Sequence, residues 1–352
     1  MRITTNQILR NYKSNLATSL TNLDSARVKV MTGRKFTATA EDPASALRAS
    51  VLERKYARNE DYLSLVKDVQ SFQDSQEDAA MQINTIAKQL SKQYGLEALN
   101  GTNGSLDTRE TYADAWRGSQ ESILLSLNAS YEGKYVFAGS DGQKAPFKLG
   151  KDTAGNQALF YRNVDVTTGF LYNDDGTLKD NDPAASKERL ENLSKDSVFV
   201  DLGFGLNIND DSTIDSSSAF NTSLPGINMV GYGEFDNGDP KNMILLMGKI
   251  ADELEKPDFN YERYRELVNE FDEGRNDVLE VVTTLGTQTE FLTTTRDRLE
   301  TNEISLATQI DNVVNVDMAE AIMNFSWAQY AYNASLKVGN NILTPSFIDF
   351  MR

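Results

Sequence analysis

Two long stretches without proline constrain the fold of this chain more than any other feature of its sequence. Residues 44–145 and 258–344 contain no proline, and residues 44–94 also lack glycine. Proline and glycine interrupt helices more than other residues do, so both stretches permit long helices. A helix over residues 44–94 would be about 75 Å long, whereas a compact chain of this length has a radius of gyration of about 20 Å. We therefore predict an elongated, mainly helical molecule.

The N-terminal segment has the pattern of a coiled-coil helix. One apolar position repeats every seven residues, and a second position in each repeat is also apolar: Leu9, Leu16, Leu23 and Val30, with Tyr12, Leu20 and Ala26. A single amphipathic helix of a bundle shows nearly the same pattern, so both interpretations stay open. Gly33 is typical of a helix end, and Asp42 followed by Pro43 predicts the start of a second helix.

The middle of the chain changes from a helical to a strand pattern. Strands are predicted over residues 133–140, 160–161, 164–166 and 170–172, with a helical insert over 184–195. The strongest prediction is a strand over 198–208, where every second residue is apolar. The glycines that flank Phe204 do not complete a nucleotide-binding loop, and we interpret them as strand-edge glycines.

Helical patterns return in the last third of the chain. A short helix is predicted near 241–255 and a long one from Tyr261. A third helix, which contains Trp327, is predicted over 317–342. One face of this last helix is predicted to consist of Ala319, Ile322, Ser326, Tyr330, Asn333 and Leu336. Trp116 and Trp327 both lie in helical patterns and are predicted to be packing residues.

These patterns predict a mainly α fold with an inserted β-rich domain, in which both termini form a long-helix coiled coil or bundle. The N-terminal coiled-coil helix is predicted over 1–42 and the C-terminal one over 314–352. The helical domain consists of two parts, 43–130 and 241–313, and the inserted β module spans 131–240. Residues 1–60 carry a net charge of +6 and residues 301–352 a net charge of −3. The charges favour an antiparallel pair of terminal helices, either within one chain or between neighbouring chains.

Composition excludes several classes of function. The chain has 35 basic and 52 acidic residues, a net charge of −17, which argues against nucleic acid as a partner. It has neither histidine nor cysteine, which excludes catalytic triads, thiol nucleophiles and zinc-thiolate sites. We predict no catalytic residues, no metal site and no cofactor. The longest apolar run is too short to span a bilayer, and the first residues lack the apolar region of a cleaved signal peptide, so we expect no membrane insertion.

Several short motifs, in their order along the chain, resemble those of the hook-associated branch of the flagellin superfamily. They are Thr32-Gly33-Arg34 with Glu41-Asp42-Pro43-Ala44, the segment 133–140, the segment 316–322 with Asp317, the segment 334–338, and the closing segment 346–350 with Ser346 and Asp349. Glu41 stands where the family usually has Asp, and Phe347-Ile348 where it usually has two leucines. The resemblance covers about the first 60 residues, a short middle stretch and the last 40.

The resemblance implies a non-enzymatic structural adaptor that joins the flagellar hook to the flagellin filament. It implies four partners: a proximal hook-associated junction protein, flagellin, copies of the same chain in a ring-like layer, and a cytosolic export chaperone. It also implies an extracellular location in the bacterial flagellum after type III export, without a cleaved signal peptide. Two alternatives remain, a flagellin that forms the filament itself and a secreted adhesin whose acidic β module binds a ligand.

The terminal apolar stripes are the candidate assembly interface, because a helix with one apolar face needs a partner surface. The residues predicted for this interface are Leu9, Tyr12, Leu16, Leu20, Leu23, Val30, Ile322, Tyr330, Leu336 and Ile342.

Overall fold

The computed structural model describes residues 5–96, 105–173, 175–209, 213–215 and 218–343. Helix α1 spans Thr5–Thr32 and ends before Gly33, whose φ of 69° is one that glycine adopts readily. Helix α2 spans Pro43–Tyr94, and helix α3 spans Leu106–Leu127. The predicted end of the first helix at Gly33 and the predicted start of the second at Pro43 are therefore confirmed.

The middle of the chain contains three small antiparallel sheets and two helices. Strands β1 to β9 and helices α4 and α5 follow one another as β1 Ser130–Tyr131, β2 Lys134–Tyr135, β3 Phe147–Lys151, β4 Gln157–Tyr161, β5 Val164–Asp165, β6 Leu171–Tyr172, β7 Leu178–Asp180, α4 Pro183–Ser194, β8 Phe199–Val200, β9 Phe220–Asn221 and α5 Gly226–Val230. Strands β3 to β7 form one meander in chain order, with Phe147 opposite Tyr161, while β1 pairs with β2 and β8 with β9. Helix α4 confirms the predicted insert, because Asp182 caps it and Pro183 is its first residue.

Two predicted strands are wrong in their extent. The strand predicted over 198–208 is reduced to β8, with one isolated bridge between Ile208 and Ile214. Gly203 and Gly205 have φ values of 88° and 86°, so the backbone leaves the extended conformation on both sides of Phe204. The strand predicted over 133–140 is likewise reduced to β2 and one bridge from Ala138 to Pro225. Alternating apolar residues carry no information about these glycine turns.

The C-terminal helices follow the predictions closely. Helix α6 spans Met243–Glu255, and its cap Asn242 accepts hydrogen bonds from two backbone amides of the first turn. Helix α7 spans Tyr261–Val314 without a break, and helix α8 spans Met318–Leu343. The predicted fold class, mainly helical with an inserted β-rich part, is confirmed.

The chain divides into two compact units. The first consists of Met1–Asp61 and Leu299–Arg352, and the second of Tyr62–Arg298. In the first unit, α2 and α7 are linked where the Asn59 amide donates to the carbonyl of Leu299 at 2.9 Å.

The second unit has its core between helices α2, α3, α6 and α7 and the β-rich part. Trp116 is fully buried there, as predicted, and packs edge-to-face on Phe271 with ring centroids 4.9 Å apart. Its indole N–H and the hydroxyl of Tyr264 both donate to the carbonyl of Tyr94, at 3.2 and 2.7 Å. The end of α2 is thus fixed to α3 and α7 by buried aromatic side chains that keep their polar atoms paired.

A buried carboxylate joins the last turn of the β-rich part to α6 and α7. The side chain of Asp239 is 2% exposed, with Arg263 Nη2 at 2.5 Å and Lys249 Nζ at 3.0 Å. Burial alone would favour the neutral carboxyl, but hydrogen bonds from Arg263 and Lys249 prevail and hold the pKa of Asp239 below its ordinary value.

We expect Asp239→Asn to lower the free energy of unfolding by about 2 kcal/mol near neutral pH, because it removes the buried carboxylate that accepts charge-assisted hydrogen bonds from Arg263 and Lys249. A lowered pKa stabilises the fold above the unfolded-state value and loses this effect as pH falls. The difference between wild type and variant should therefore shrink below about pH 4. Urea unfolding at several pH values measures it. Asp236→Asn, an exposed carboxylate in the same turn, is the matched control and should change little.

Candidate assembly interface

Two loops of the first unit pair with each other where α1 ends and α8 begins. The backbone N–H of Lys35 donates to the carbonyl of Val314 at 2.7 Å, and that of Val316 donates to the carbonyl of Gly33 at 2.9 Å. Arg34 lies opposite Asn315 in this short antiparallel bridge. The loop after α1 is therefore held against the loop before α8 by backbone hydrogen bonds.

The described family-motif residues at these loops start or stop helices. Thr32 donates its hydroxyl to the carbonyl of Val28 at 2.8 Å in the last turn of α1. Asp42 accepts a hydrogen bond from the Ser45 amide at 3.0 Å, and hydrogen bonds from the Ser45 hydroxyl and amide lower the pKa of the Asp42 carboxyl. Asp317 caps α8 by accepting from the amide of Ala319 at 2.8 Å. These motif residues therefore form hydrogen bonds that fix where the helices end and begin, which is the usual role of helix caps.

Helix α1 packs along α8 through two heptad series of half-buried or buried residues. The α1 series is Leu9, Tyr12, Leu16, Ser19, Leu23, Ala26 and Val30, and the α8 series is Ala321, Phe325, Ala328, Tyr332, Ser335 and Gly339. Both series alternate steps of three and four residues, which is the spacing of a coiled-coil seam. The predicted antiparallel pairing of the terminal helices thus occurs within one chain.

Opposite charges lie together near one end of this pair. A crevice of about 460 Å³ is lined by Lys29 and Lys35 on one side and by Asp317 and Glu320 on the other. Opposite charges therefore face each other at this end of the helix pair, although exposed pairs of this kind contribute only about 0–1 kcal/mol each. Apolar contact along the seam is the larger contribution.

Gly339 sets how closely the two helices approach. It is buried, and a Cβ at this position would overlap the hydroxyl of Tyr12. Helices pack most closely where one of them presents a residue without a side chain. Gly339 therefore fixes the register between the start of α1 and the end of α8.

We expect Gly339→Leu to separate α1 from α8 around Tyr12, and to increase amide exchange in both helices. Leucine is a better helix former than glycine by about 0.8 kcal/mol, so a loss of protection could not come from helix propensity. Hydrogen exchange followed by mass spectrometry measures the effect in the full chain. Val338→Leu, at a neighbouring position that is 52% exposed, should leave exchange unchanged.

The outer face of α8 is apolar and has no partner within the described part of the chain. We define it as Ile322, Met323, Trp327 and Tyr330, whose exposed fractions are 50%, 57%, 71% and 71%. Together with Ser326 these side chains line an open cavity of about 570 Å³. Helix α8 carries only two charged residues, Glu320 and Lys337. An exposed apolar patch of this kind is typical of a surface that another protein covers.

The predicted interface residues fall into two groups. Leu9, Tyr12, Leu16, Leu23 and Val30 lie in the α1–α8 seam, whereas Ile322, Tyr330 and Leu336 are exposed on α8. Leu20 lies outside the seam and is 51% exposed, because Ser19 occupies its predicted position. Ser346 and Asp349, and the side chain of Ile342, lie outside the described residues.

Sequence reasoning missed two residues of the outer face, Met323 and Trp327. Trp327 was predicted to be a packing residue, and within this chain that prediction is wrong, since the side chain is 71% exposed. The signal that could have identified it is the near absence of charge on α8, which leaves apolar residues on every side of the helix.

Residues 3–141 match the family model described as the bacterial flagellin N-terminal helical region. This part of the chain is similar to the N-terminal helical region of bacterial flagellins. The predicted resemblance to the flagellin superfamily is therefore confirmed, and the region includes the whole of α1, α2 and α3. Its loop between α1 and α2 carries the motif residues Thr32 to Pro43 described above.

Two curated relatives of this chain bear the name flagellar hook-associated protein 3. The relative from Salmonella typhimurium is 28% identical over 148 residues, which is 42% of this chain and 46% of the relative. The relative from Escherichia coli K12 is 28% identical over 134 residues, 37% of this chain and 42% of the relative. The matches thus span less than half the length of either relative.

A solved structure shows that the fold is shared more widely than the sequence similarity. The putative flagellar hook-associated protein from Vibrio parahaemolyticus superposes with a TM-score of 0.56 and 17% identity, over 78% of this chain and 100% of that chain. At this identity the similarity shows the fold alone.

Two kinds of site have no candidate in the described ranges. No group of three or more acidic side chains there is arranged to hold a metal ion. Among the same residues, no helix is both long and apolar enough to cross a membrane.

Proposed function

We propose that this chain is a non-enzymatic structural subunit of the bacterial flagellum that joins the hook to the flagellin filament. The observation that carries the proposal is the exposed apolar outer face of α8, on a helix whose opposite face is already covered by α1. A surface of that kind is suited to burial against neighbouring subunits of an assembly. The names of the curated relatives, flagellar hook-associated protein 3, support the position within the flagellum.

The proposed partners follow from this position. Residues 1–42 and 314–352 would form the terminal coiled coil of the assembled layer, in contact with copies of the same chain. A proximal hook-associated junction protein would bind on the hook side and flagellin on the filament side. A cytosolic chaperone would cover the apolar C-terminal region before export, and the assembled protein would be extracellular.

Deletion of the gene in its own bacterium tests this role. We expect cells that still assemble hooks but release flagellin into the medium, because nothing joins the two structures. Restored full-length chain, labelled with antibody on isolated flagella, should lie at one place at the distal end of the hook. Filaments that still attach in the deletion strain would contradict the proposal.

A flagellin role is the second candidate, because the matched family model is that of the flagellin N-terminal helical region. The same labelling experiment separates the two roles. A flagellin would be labelled along the whole filament, whereas a junction subunit would be confined to the hook end.

A further inference from the structure

The second unit carries an exposed aromatic groove that the proposed function does not use. Phe204, Phe220 and Phe291 form a row of nearly parallel rings, in which Phe291 lies 5.8 Å from each of the other two. The rings, with residues of β9 and α7, line a cavity of about 560 Å³. Phe204 is 48% and Phe291 44% exposed. Exposed aromatic clusters of this kind are typical of protein interfaces.

The loop between β8 and β9 holds Phe204 in this row. The Asp201 carboxylate accepts hydrogen bonds from the amides of Gly203 and Gly205, at 2.9 and 3.4 Å. The left-handed backbone of both glycines turns the chain before and after Phe204. The Gly-Phe-Gly segment is therefore a turn that holds the phenyl ring of Phe204 at the surface, and it is not a strand edge.

An exposed cation lies at the edge of the aromatic groove. The Arg298 guanidinium lies 4.2 Å from the centroid of the Phe204 ring, a cation–π contact. No carboxylate of the described residues forms an ion pair with Arg298. The groove therefore offers an apolar floor with one positive charge beside it, which suits a ligand that is apolar and acidic.

A surface with that chemistry occurs on helix α3 of the same chain. Asp114, Gly118, Glu121 and Leu125 follow one another at steps of three or four residues and are all exposed, so they form one ridge. Leu125 is 76% exposed. Gly118 has open space around it, which lets another surface approach closely. The α3 ridge thus combines a protruding leucine with two carboxylates.

We propose that the aromatic groove of one copy binds the α3 ridge of a second copy. Leu125 would insert against the phenyl rings, and Glu121, one turn earlier, would pair with Arg298. The contact joins two different surfaces, so repetition generates a ring or a helical array instead of a closed dimer. It rests on the proposed function, in which copies of this chain form a layer, and it specifies one contact within that layer.

Engineered disulfides test the contact directly, because the chain has no cysteine of its own. In the purified full-length chain, Leu125→Cys with Thr287→Cys should give disulfide-linked trimers and larger multimers on mild oxidation. Leu279→Cys with Thr287→Cys, which replaces a leucine on α7 that is 50% exposed, is the matched control and should give no multimer beyond a dimer. Absence of disulfide-linked trimers and larger multimers in the Leu125→Cys, Thr287→Cys variant would overturn the proposal.

Charge reversal is a second test of the contact between the aromatic groove and the α3 ridge. Adding Arg298→Glu to the double-cysteine chain should lower the yield of multimers about tenfold, and adding Glu121→Arg as well should restore most of it. An unchanged yield with Arg298→Glu would rule out this groove as the binding surface. If the chain lies at the hook end but forms no disulfide-linked multimers, only the groove contact is contradicted. If the multimers form but the chain does not reach the hook end, only the proposed function is contradicted.

Discussion

Charges placed on the outer face of α8 should abolish incorporation of the chain into the flagellum. Trp327→Asp with Tyr330→Asp would bury two unpaired carboxylates in the assembled layer, and each costs roughly 3 kcal/mol or more. Incorporation should fall by about 100-fold or more. The free chain should keep its fold, since both side chains are 71% exposed and contribute little to packing within it.

The measurement is the amount of chain in isolated flagella, with circular dichroism of the purified variant as the check on folding. Leu279→Asp, a change of the same kind at a position on α7 that is 50% exposed, is the matched control and should be incorporated normally. A double variant that is incorporated at the level of wild type would show that the outer face of α8 is not buried in the assembly.

Charges placed in the α1–α8 seam should act on the free chain itself. Leu16→Asp with Leu23→Asp would separate α1 from α8, because both leucines are half-buried between the two helices. Helical stability in proteins comes mainly from tertiary packing, so the 28 residues of α1 and the 26 of α8 should lose much of their helical content. Assembly should be lost as a consequence.

Circular dichroism and amide exchange of the purified variant measure this loss. Leu20→Asp with Met31→Asp places the same charges on exposed positions of α1 and should leave the helical signal unchanged. If the seam variant kept its full helical content and its protection in α1 and α8, the packing of these helices on one another would not be what stabilises them.

The sequence predicts helix ends well, because each depends on one or two neighbouring residues. Gly33 ends α1, Asp42 and Pro43 begin α2, and Asp182 begins α4, all where local capping rules place them. The strand over 198–208 fails for a related reason. The apolar alternation is real, but the carboxylate of Asp201 and two left-handed glycines form a turn that outweighs it.

The candidate interface was predicted only in part, because α8 is apolar on both faces. Periodicity cannot decide which face of such a helix packs within the chain. The structure shows small residues on the face toward α1, among them Ala321, Ala328 and Gly339, since these allow close approach. The large apolar side chains, Trp327 and Tyr330, lie on the outer face. Small residues at these three seam positions are the feature of the inner face that periodicity alone does not reveal.

Fluorescence of Trp327 tests most directly whether assembly buries the outer face of α8. The chain has two tryptophans, so Trp116→Phe leaves Trp327 as the single reporter. In the free chain its emission should be that of an indole in water, and soluble quenchers should reach it, because the side chain is 71% exposed. In the assembled layer we predict a shift to shorter wavelength and protection from the quencher. Emission and quenching that stay the same on assembly would contradict the account.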